Sequence, residues 1–147
     1  MKKTLLATAL VALSAFAANA QDTVRIATEG LYPPYNLIDD AGNLAGYEVD
    51  LGNELCKRAG LTCEFVQNDW DSMMPNLNSG NFDVIMAGMS ITEERRADRL
   101  FSQNYMPPAV SYYVAASADA DIKGGVVAAQ TGTIQAGYVA ESGATLL

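Results

Sequence analysis

The sequence contains no histidine and only two cysteines, Cys56 and Cys63. The first absence removes Ser-His and Cys-His nucleophilic catalysis. With no His and no further Cys, a zinc site lacks its usual ligands. Basic residues are scarce: 9 Lys and Arg against 17 Asp and Glu give a net charge of −8. That balance argues against nucleic acid and anionic lipid as partners. No phosphate loop, metal-ligand cluster or nucleophile motif appears, and neither does an internal repeat or a low-complexity tract. No cofactor and no metal are expected.

The one long apolar run is at the N-terminus. Lys2 and Lys3 precede Leu5 to Phe16, and Ala18-Asn19-Ala20 forms a small-x-small cleavage site. The run is short for a bilayer span, and polar Gln21-Asp22 follow it. Residues 1–20 are therefore read as an export signal cleaved after Ala20, with an uncleaved anchor as the alternative. Cleavage removes two lysines and no acid, which leaves 127 residues and a net charge of −10. That length suffices for one domain with a core. In an oxidising compartment the C-x6-C pair Cys56/Cys63 most simply forms one disulfide, tying a helix end to the next strand.

Val24 to Thr28 alternates and is rich in β-branched residues, so it predicts a strand. Asn36 to Tyr47 predicts a hairpin turning at Asp40-Ala41-Gly42-Asn43. Glu48 to Ala59 predicts a helix with Leu51, Leu55 and Ala59 on one face and Gly60 as its stop. Thr62 to Gln67 is a second strand. Trp70 to Ser79 is a second helix with Met73, Met74 and Leu77 inward, shortened or kinked at Pro75. Asn81 to Ala87 is a third strand, whose unbroken Val84-Ile85-Met86 suggests burial on both faces. Tyr112 to Ala116 reads as a further strand. Val126 to Ala129 starts a new strand, and Ile134 to Glu141 a helix, with nothing regular after it. Strand–helix alternation is the pattern of an open α/β sheet, which binds ligands beyond the carboxyl ends of its strands. Because the last strand–helix unit cannot bury both its faces alone, a fragment or truncated gene is expected.

Two segments lie at such strand ends: Glu29-Gly30-Leu31-Tyr32-Pro33-Pro34-Tyr35 and Ala87-Gly88-Met89-Ser90-Ile91-Thr92-Glu93-Glu94-Arg95. Thr92 is a good N-cap, with Glu93 and Glu94 in the first turn. Arg95 gains nothing from the helix dipole there, and a guanidinium at a helix start suits a carboxylate. The plain alternative is a solvated Arg paired with Glu93, Glu94 or Asp98. Ser90 offers a hydroxyl to the same carboxylate or simply forms a turn. Ala87 and Gly88 expose backbone for an ammonium or simply pack tightly. Tyr32 and Trp70 offer flat faces for a ligand side chain or fill the core. Glu29 can pair with a basic ligand group or be a surface acid near Arg25. Gly132-Thr133 either presents helix-start N–H groups or caps an ordinary helix.

Taken jointly, Tyr32-x-Pro34-Tyr35, Gly46-Tyr47-Glu48-Val49-Asp50-Leu51, Asp83-Val84-Ile85-Met86-Ala87-Gly88, Ser90-Ile91-Thr92-Glu93-Glu94-Arg95 and the Cys56-x6-Cys63 spacing form a specific set. The chain resembles the amino-acid-binding group of periplasmic solute-binding proteins of ABC importers. It is most similar to histidine- and lysine/arginine/ornithine-binding members, from Val24 to Gln135. The resemblance implies an α/β fold of the type II periplasmic-binding-protein kind. Lobe 1 would span 21–109, a hinge strand 110–117, and a barely begun lobe 2 118–147. It also implies the roles. Arg95, helped by Ser90, would clamp an α-carboxylate, and the backbone at Ala87 and Gly88 would take the α-ammonium. Tyr32 and Trp70 would sandwich the side chain, and Thr133 would contribute from lobe 2. Glu29 stands where basic-amino-acid binders carry an Asp, and Ile134 where many members have a second Thr. The implied partners are a free polar or basic L-amino acid and an inner-membrane ABC permease, met by a monomer in the periplasm. The competing reading is an exported enzyme similar to cyclohexadienyl dehydratase, for which Glu29 is the only nearby proton-transferring acid.

Overall fold

The computed structural model describes residues 23–147 except Ala109. The expected leader and its cleavage site after Ala20 lie outside the described residues.

Strand β1 (Val24–Thr28) is the centre of a parallel sheet. Strand β5 (Cys63–Gln67) pairs along its whole length, and β6 (Val84–Ile85) pairs on the other side. Between β1 and β5 the chain builds a small antiparallel meander of β2 (Leu31–Tyr32), β3 (Asn36–Ile38) and β4 (Leu44–Ala45). The expected β3–β4 hairpin is present. Asp39 holds its turn by accepting the amides of Ala41 at 2.9 Å and Asn43 at 2.8 Å. The short β2 was not anticipated, because Pro33-Pro34 breaks the sequence pattern beside it.

Helix α1 (Tyr47–Ala59) matches expectation closely and ends at Gly60 in the left-handed conformation. Its buried row differs from the one the sequence suggests. Val49, Gly52 and Cys56 face the sheet, while Leu55 is 52% exposed. Gly52 explains the rotation: a Cβ there would lie 2.5 Å from the Phe65 ring, so only glycine lets the helix settle this close. The Cys56–Cys63 disulfide joins the end of α1 to the start of β5, as the spacing implied.

The expected second helix is a 3-10 turn (Trp70–Ser72) running into α2 (Met73–Asn78). Pro75 falls in the first turn of α2, where its missing N–H costs little. Met73, Phe82, Ala27 and Ala87 pack on this face of the sheet, whereas Ile26, Cys56 and Met86 pack on the α1 face. Helices thus cover both faces of the parallel sheet. Burial of β6 on both faces is not borne out: Val84 is 44% exposed, because β6 is short and forms the sheet's edge.

After α3 (Glu93–Arg96), the expected strand over Tyr112 to Ala116 does not form. Its aromatic and β-branched residues favour a strand, but no strand pairs with them among the described residues, and Tyr112 and Val114 are exposed. Lacking a partner ladder, the segment stays irregular, with Ser111 hydrogen-bonded to Gln135. Beyond it, β7 (Val126–Val127), α4 (Ile134–Glu141) and β8 (Thr145–Leu146) make a parallel βαβ unit. Helix α4 has the expected bounds. The closing strand β8 is a correction: two residues are too few to show a periodicity.

Candidate functional site

The carboxyl ends of β1, β5 and β6 converge, which puts Glu29, Trp70 and the Ala87–Gly88 turn on one side of the sheet, as the topology predicts. Hydrogen bonds from Asn68 to the Thr28 carbonyl and from Met86 to the Ala27 carbonyl extend this convergence past the regular strands. The loop after β7 closes over the same edge. A cavity of about 290 Å³ lies there, lined by Glu29, Asp69, Trp70, Asp71, Gln130 and Thr131.

Glu29 is 9% exposed and accepts a 2.6 Å hydrogen bond from the Gln130 side-chain amide, 101 residues away in sequence. It is not a surface acid near Arg25. Arg25 instead engages Asp83, with Nη2 2.9 Å from Oδ1 and Nε 3.1 Å from Oδ2. Trp70 is half-buried, with part of its ring against the α2-side core and part on the cavity. The core reading of Trp70 is thus met for part of its ring, and the rest of the ring is left on the cavity.

Arg95 sits in the short α3, whose N-cap is Thr92: the Thr92 hydroxyl accepts the Arg95 amide at 3.2 Å. The guanidinium is partly buried. It donates to the Ser90 carbonyl at 2.8 Å and to the Gly132 carbonyl at 3.0 Å, and it lies 5.9 Å from the Trp70 ring centre. Among the described residues, the ion pairs are Arg25–Asp83, Arg58–Glu54 and Arg99–Asp98; Arg95 makes none. Asp98, one of its expected surface partners, is taken by Arg99. Burial pulls the Arg95 pKa below the usual arginine value, and the charge of Glu94 offsets this in part. Such a guanidinium stays protonated at neutral pH.

The remaining expected residues are placed less directly. Ser90 meets Arg95 through its carbonyl rather than its hydroxyl. Ala87 is buried in the core, so tight packing describes it. Gly88 has a left-handed φ of 61°, and its N–H donates to Glu48 at 2.7 Å. Tyr32 stacks beside Tyr35 and against Gly88 and is not among the cavity-lining residues. The Thr133 hydroxyl caps α4: it accepts the Ala136 amide at 3.1 Å and donates to the Gln130 carbonyl at 2.7 Å. The structure thus brings Glu29, Trp70 and Arg95 into one neighbourhood and leaves Tyr32 and Thr133 at its margin. It also adds Gln130, Thr131, Asp69 and Asp71, which the sequence reading missed. The Asp residues directly flank Trp70, and Gln130 follows β7 just before Gly132, so adjacency was the available sign. Among the described residues, no three side chains are placed to hold a metal ion.

An open parallel sheet with a cavity at its strand ends, lined by a buried acid and by the tryptophan on which Arg95 rests, has the architecture of α/β folds that take ligands at strand ends. The comparisons say which. Residues 24–141 match the family of bacterial extracellular solute-binding proteins, family 3, and the chain belongs to it. It is 43% identical over 105 residues to the putative ABC transporter arginine-binding protein 2 of Escherichia coli, covering 71% of this chain and 43% of that one. It is 39% identical over 107 residues to the lysine/arginine/ornithine-binding periplasmic protein of the same organism, covering 69% and 41%. Among solved structures it resembles a periplasmic His/Glu/Gln/Arg/opine family-binding protein from Silicibacter pomeroyi in complex with lysine. There the TM-score is 0.80 with 67% identity over 85% of this chain and 57% of that one. The fold is therefore the type II periplasmic-binding-protein kind. The chain spans about half the length of the curated relatives it matches.

Proposed function

We propose that the protein is a periplasmic receptor that binds a polar or basic L-amino acid and hands it to an inner-membrane ABC importer. The observation that carries this is Arg95, a partly buried cation resting on Trp70 and hydrogen-bonded through its guanidinium to two carbonyls, with no carboxylate of the described residues in ion-pair range. A desolvated guanidinium solvated by neutral dipoles gains most from an incoming anion, and an amino acid brings one. The buried Glu29 on the nearby cavity wall is the counterpart for a basic group on the ligand's far end. The names of the arginine- and lysine/arginine/ornithine-binding relatives and the lysine-bound neighbour support the basic choice. Export and a periplasmic site of action are supported by the leader and by the relatives' names.

On this reading, 21–109 and 118–147 belong to two lobes that close on the ligand, with 110–117 as the connection. The contacts from Arg95 to Gly132 and from Gln130 to Glu29 are then the lobe-to-lobe bonds of a closed arrangement. Closure would be a ligand-biased hinge motion.

The test is isothermal titration of the full-length protein with a panel of L-amino acids, alongside a phenylpyruvate assay with prephenate. One-to-one binding of lysine or arginine is expected, with no turnover. Glu29→Gln should weaken the basic ligands by roughly tenfold or more, the worth of a hydrogen bond to a charged group, and glutamine far less. Binding of no amino acid, or production of phenylpyruvate, would overturn the proposal.

A further inference from the structure

Glu48 is the most deeply buried acid near the site, at 0% exposure, and it has no cationic partner among the described residues. A buried carboxylate is costly unless donors surround it. Three do, each from a different segment. Oε1 accepts the Gly88 amide at 2.7 Å and the Tyr105 hydroxyl. Oε2 accepts the side-chain amide of Asn36 at 2.6 Å. Asn36, also at 0% exposure, passes the linkage on: its Oδ1 accepts the Gly30 amide at 2.8 Å. The ends of this relay are two glycines in left-handed backbone, with φ of 61° at Gly88 and 81° at Gly30. Gly30 directly follows Glu29, and Gly88 opens the turn that leads to Ser90 and Arg95. Burial and the bond to Glu48 both raise the Tyr105 pKa, so its hydroxyl stays protonated and remains a donor.

We propose that the Glu48–Asn36 pair is the positioning device of the ligand site: it fixes the backbone at Gly30 and at Gly88 relative to one another, so that Glu29 and the Gly88–Arg95 turn meet opposite ends of one ligand. This rests on the amino-acid receptor reading above. An apolar pair of the same volume would fill the space but leave the Gly30 and Gly88 amides and the Tyr105 hydroxyl without acceptors. Directional bonds from one rigid helix start to both glycines give what packing does not, a fixed separation between the two turns.

The hydrogen-bond pattern supplies its own test, because donor and acceptor can be exchanged. In Glu48→Gln alone, two amide NH2 groups face each other at the former 2.6 Å contact, and Asn36 can relieve this only by turning its carbonyl away from Gly30. In Asn36→Asp alone, two carboxylates face each other. In the double variant, the amide introduced at position 48 donates to the carboxylate introduced at position 36. That carboxylate still accepts from Gly30, and the carbonyl oxygen of the new amide keeps the bonds from Gly88 and Tyr105. Every bond, the net charge and the shape are conserved.

Full-length protein is titrated with lysine, melted in the absence of ligand, and followed by amide NMR at Gly30 and Gly88. Each folded single variant should bind roughly tenfold or more weakly, with both glycine amide resonances displaced. The double variant should return to within about threefold of the unmodified Kd, with both resonances restored. A merely structural role would lower the melting temperature and leave the Kd of the folded fraction unchanged, which would overturn the proposal. Should the single variants fail to fold, the exchange pair decides: unmodified affinity supports the proposal, and a pair that folds without binding, or does not fold, overturns it. If the unmodified protein binds no amino acid, the receptor reading falls and this inference falls with it. Normal binding by the unmodified protein and by folded Glu48→Gln overturns this inference only.

Discussion

Replacing Arg95 with alanine tests the central electrostatic claim, and the structure sets the size of the effect. Without ligand, the guanidinium makes two bonds to carbonyls, at 2.8 Å from Ser90 and 3.0 Å from Gly132, and covers part of Trp70. Water can take over both carbonyls at this half-exposed position, so the loss of stability should stay within about 2 kcal/mol. Binding is different, because a ligand carboxylate would lose its counter-charge inside a partly dry site. Removing one partner of a desolvated charge pair costs about 2–5 kcal/mol, or about 30-fold to several thousand-fold in Kd. Arg95→Lys keeps the charge but not the planar fork and should fall between the two. Calorimetric titration of the full-length protein with lysine reads the Kd. Thermal melts with and without ligand read the same loss as a vanished ligand-induced shift. A Kd for Arg95→Ala within about threefold of the unmodified protein would refute the carboxylate-clamp argument. Unchanged binding of the Lys variant with abolished binding of the Ala variant would show that charge alone suffices.

Two further outcomes concern the scaffold. Converting both Cys56 and Cys63 to alanine opens a short loop between α1 and β5. The loop-entropy relation gives a loss of about 2–3 kcal/mol, a drop of roughly 10 °C in Tm by calorimetry, whereas an unchanged Tm would show that the bridge is dispensable. Arg25 holds the Asp83 carboxyl below the usual carboxylate range by side-chain and backbone hydrogen bonds. Its folded pKa is thus lower than the unfolded value of about 3.9, so the stability it contributes is present above pH ~4 and disappears as pH falls through the folded value. The Tm gap between unmodified protein and Asp83→Asn should therefore shrink in melts run from pH 6 down to the acid limb. A gap that stays constant would refute the linkage.

The alternating Val24–Thr28, the capped thirteen-residue α1 and the Thr133-capped α4 were legible because each carries its own period and punctuation over at least five residues. The disulfide was legible because only two cysteines exist. Elements of two residues carry too little pattern to be read or bounded: β2 and β8 leave no sign in the sequence, and β6, expected over Asn81 to Ala87, spans only Val84–Ile85. The irregular Tyr112–Ala116 segment shows the opposite failure: its aromatic and β-branched residues favour a strand, but pairing is not a local property.

By itself, the sequence determined the α/β alternation, the disulfide, and the presence of Arg95, Trp70 and Glu29 at strand ends. These follow from local periodicity, capping chemistry and the rule that parallel strands expose their carboxyl ends to ligands. Only the tertiary structure decided what those residues touch. It gave Arg95 two carbonyls in place of an acid and set Gln130 against Glu29 across 101 residues. It also buried Glu48 as the junction of three segments. An i-to-i+4 contact is written in the order of the residues. A contact between distant turns exists only once the chain has folded, because the packing of the sheet and its helices sets which turns meet.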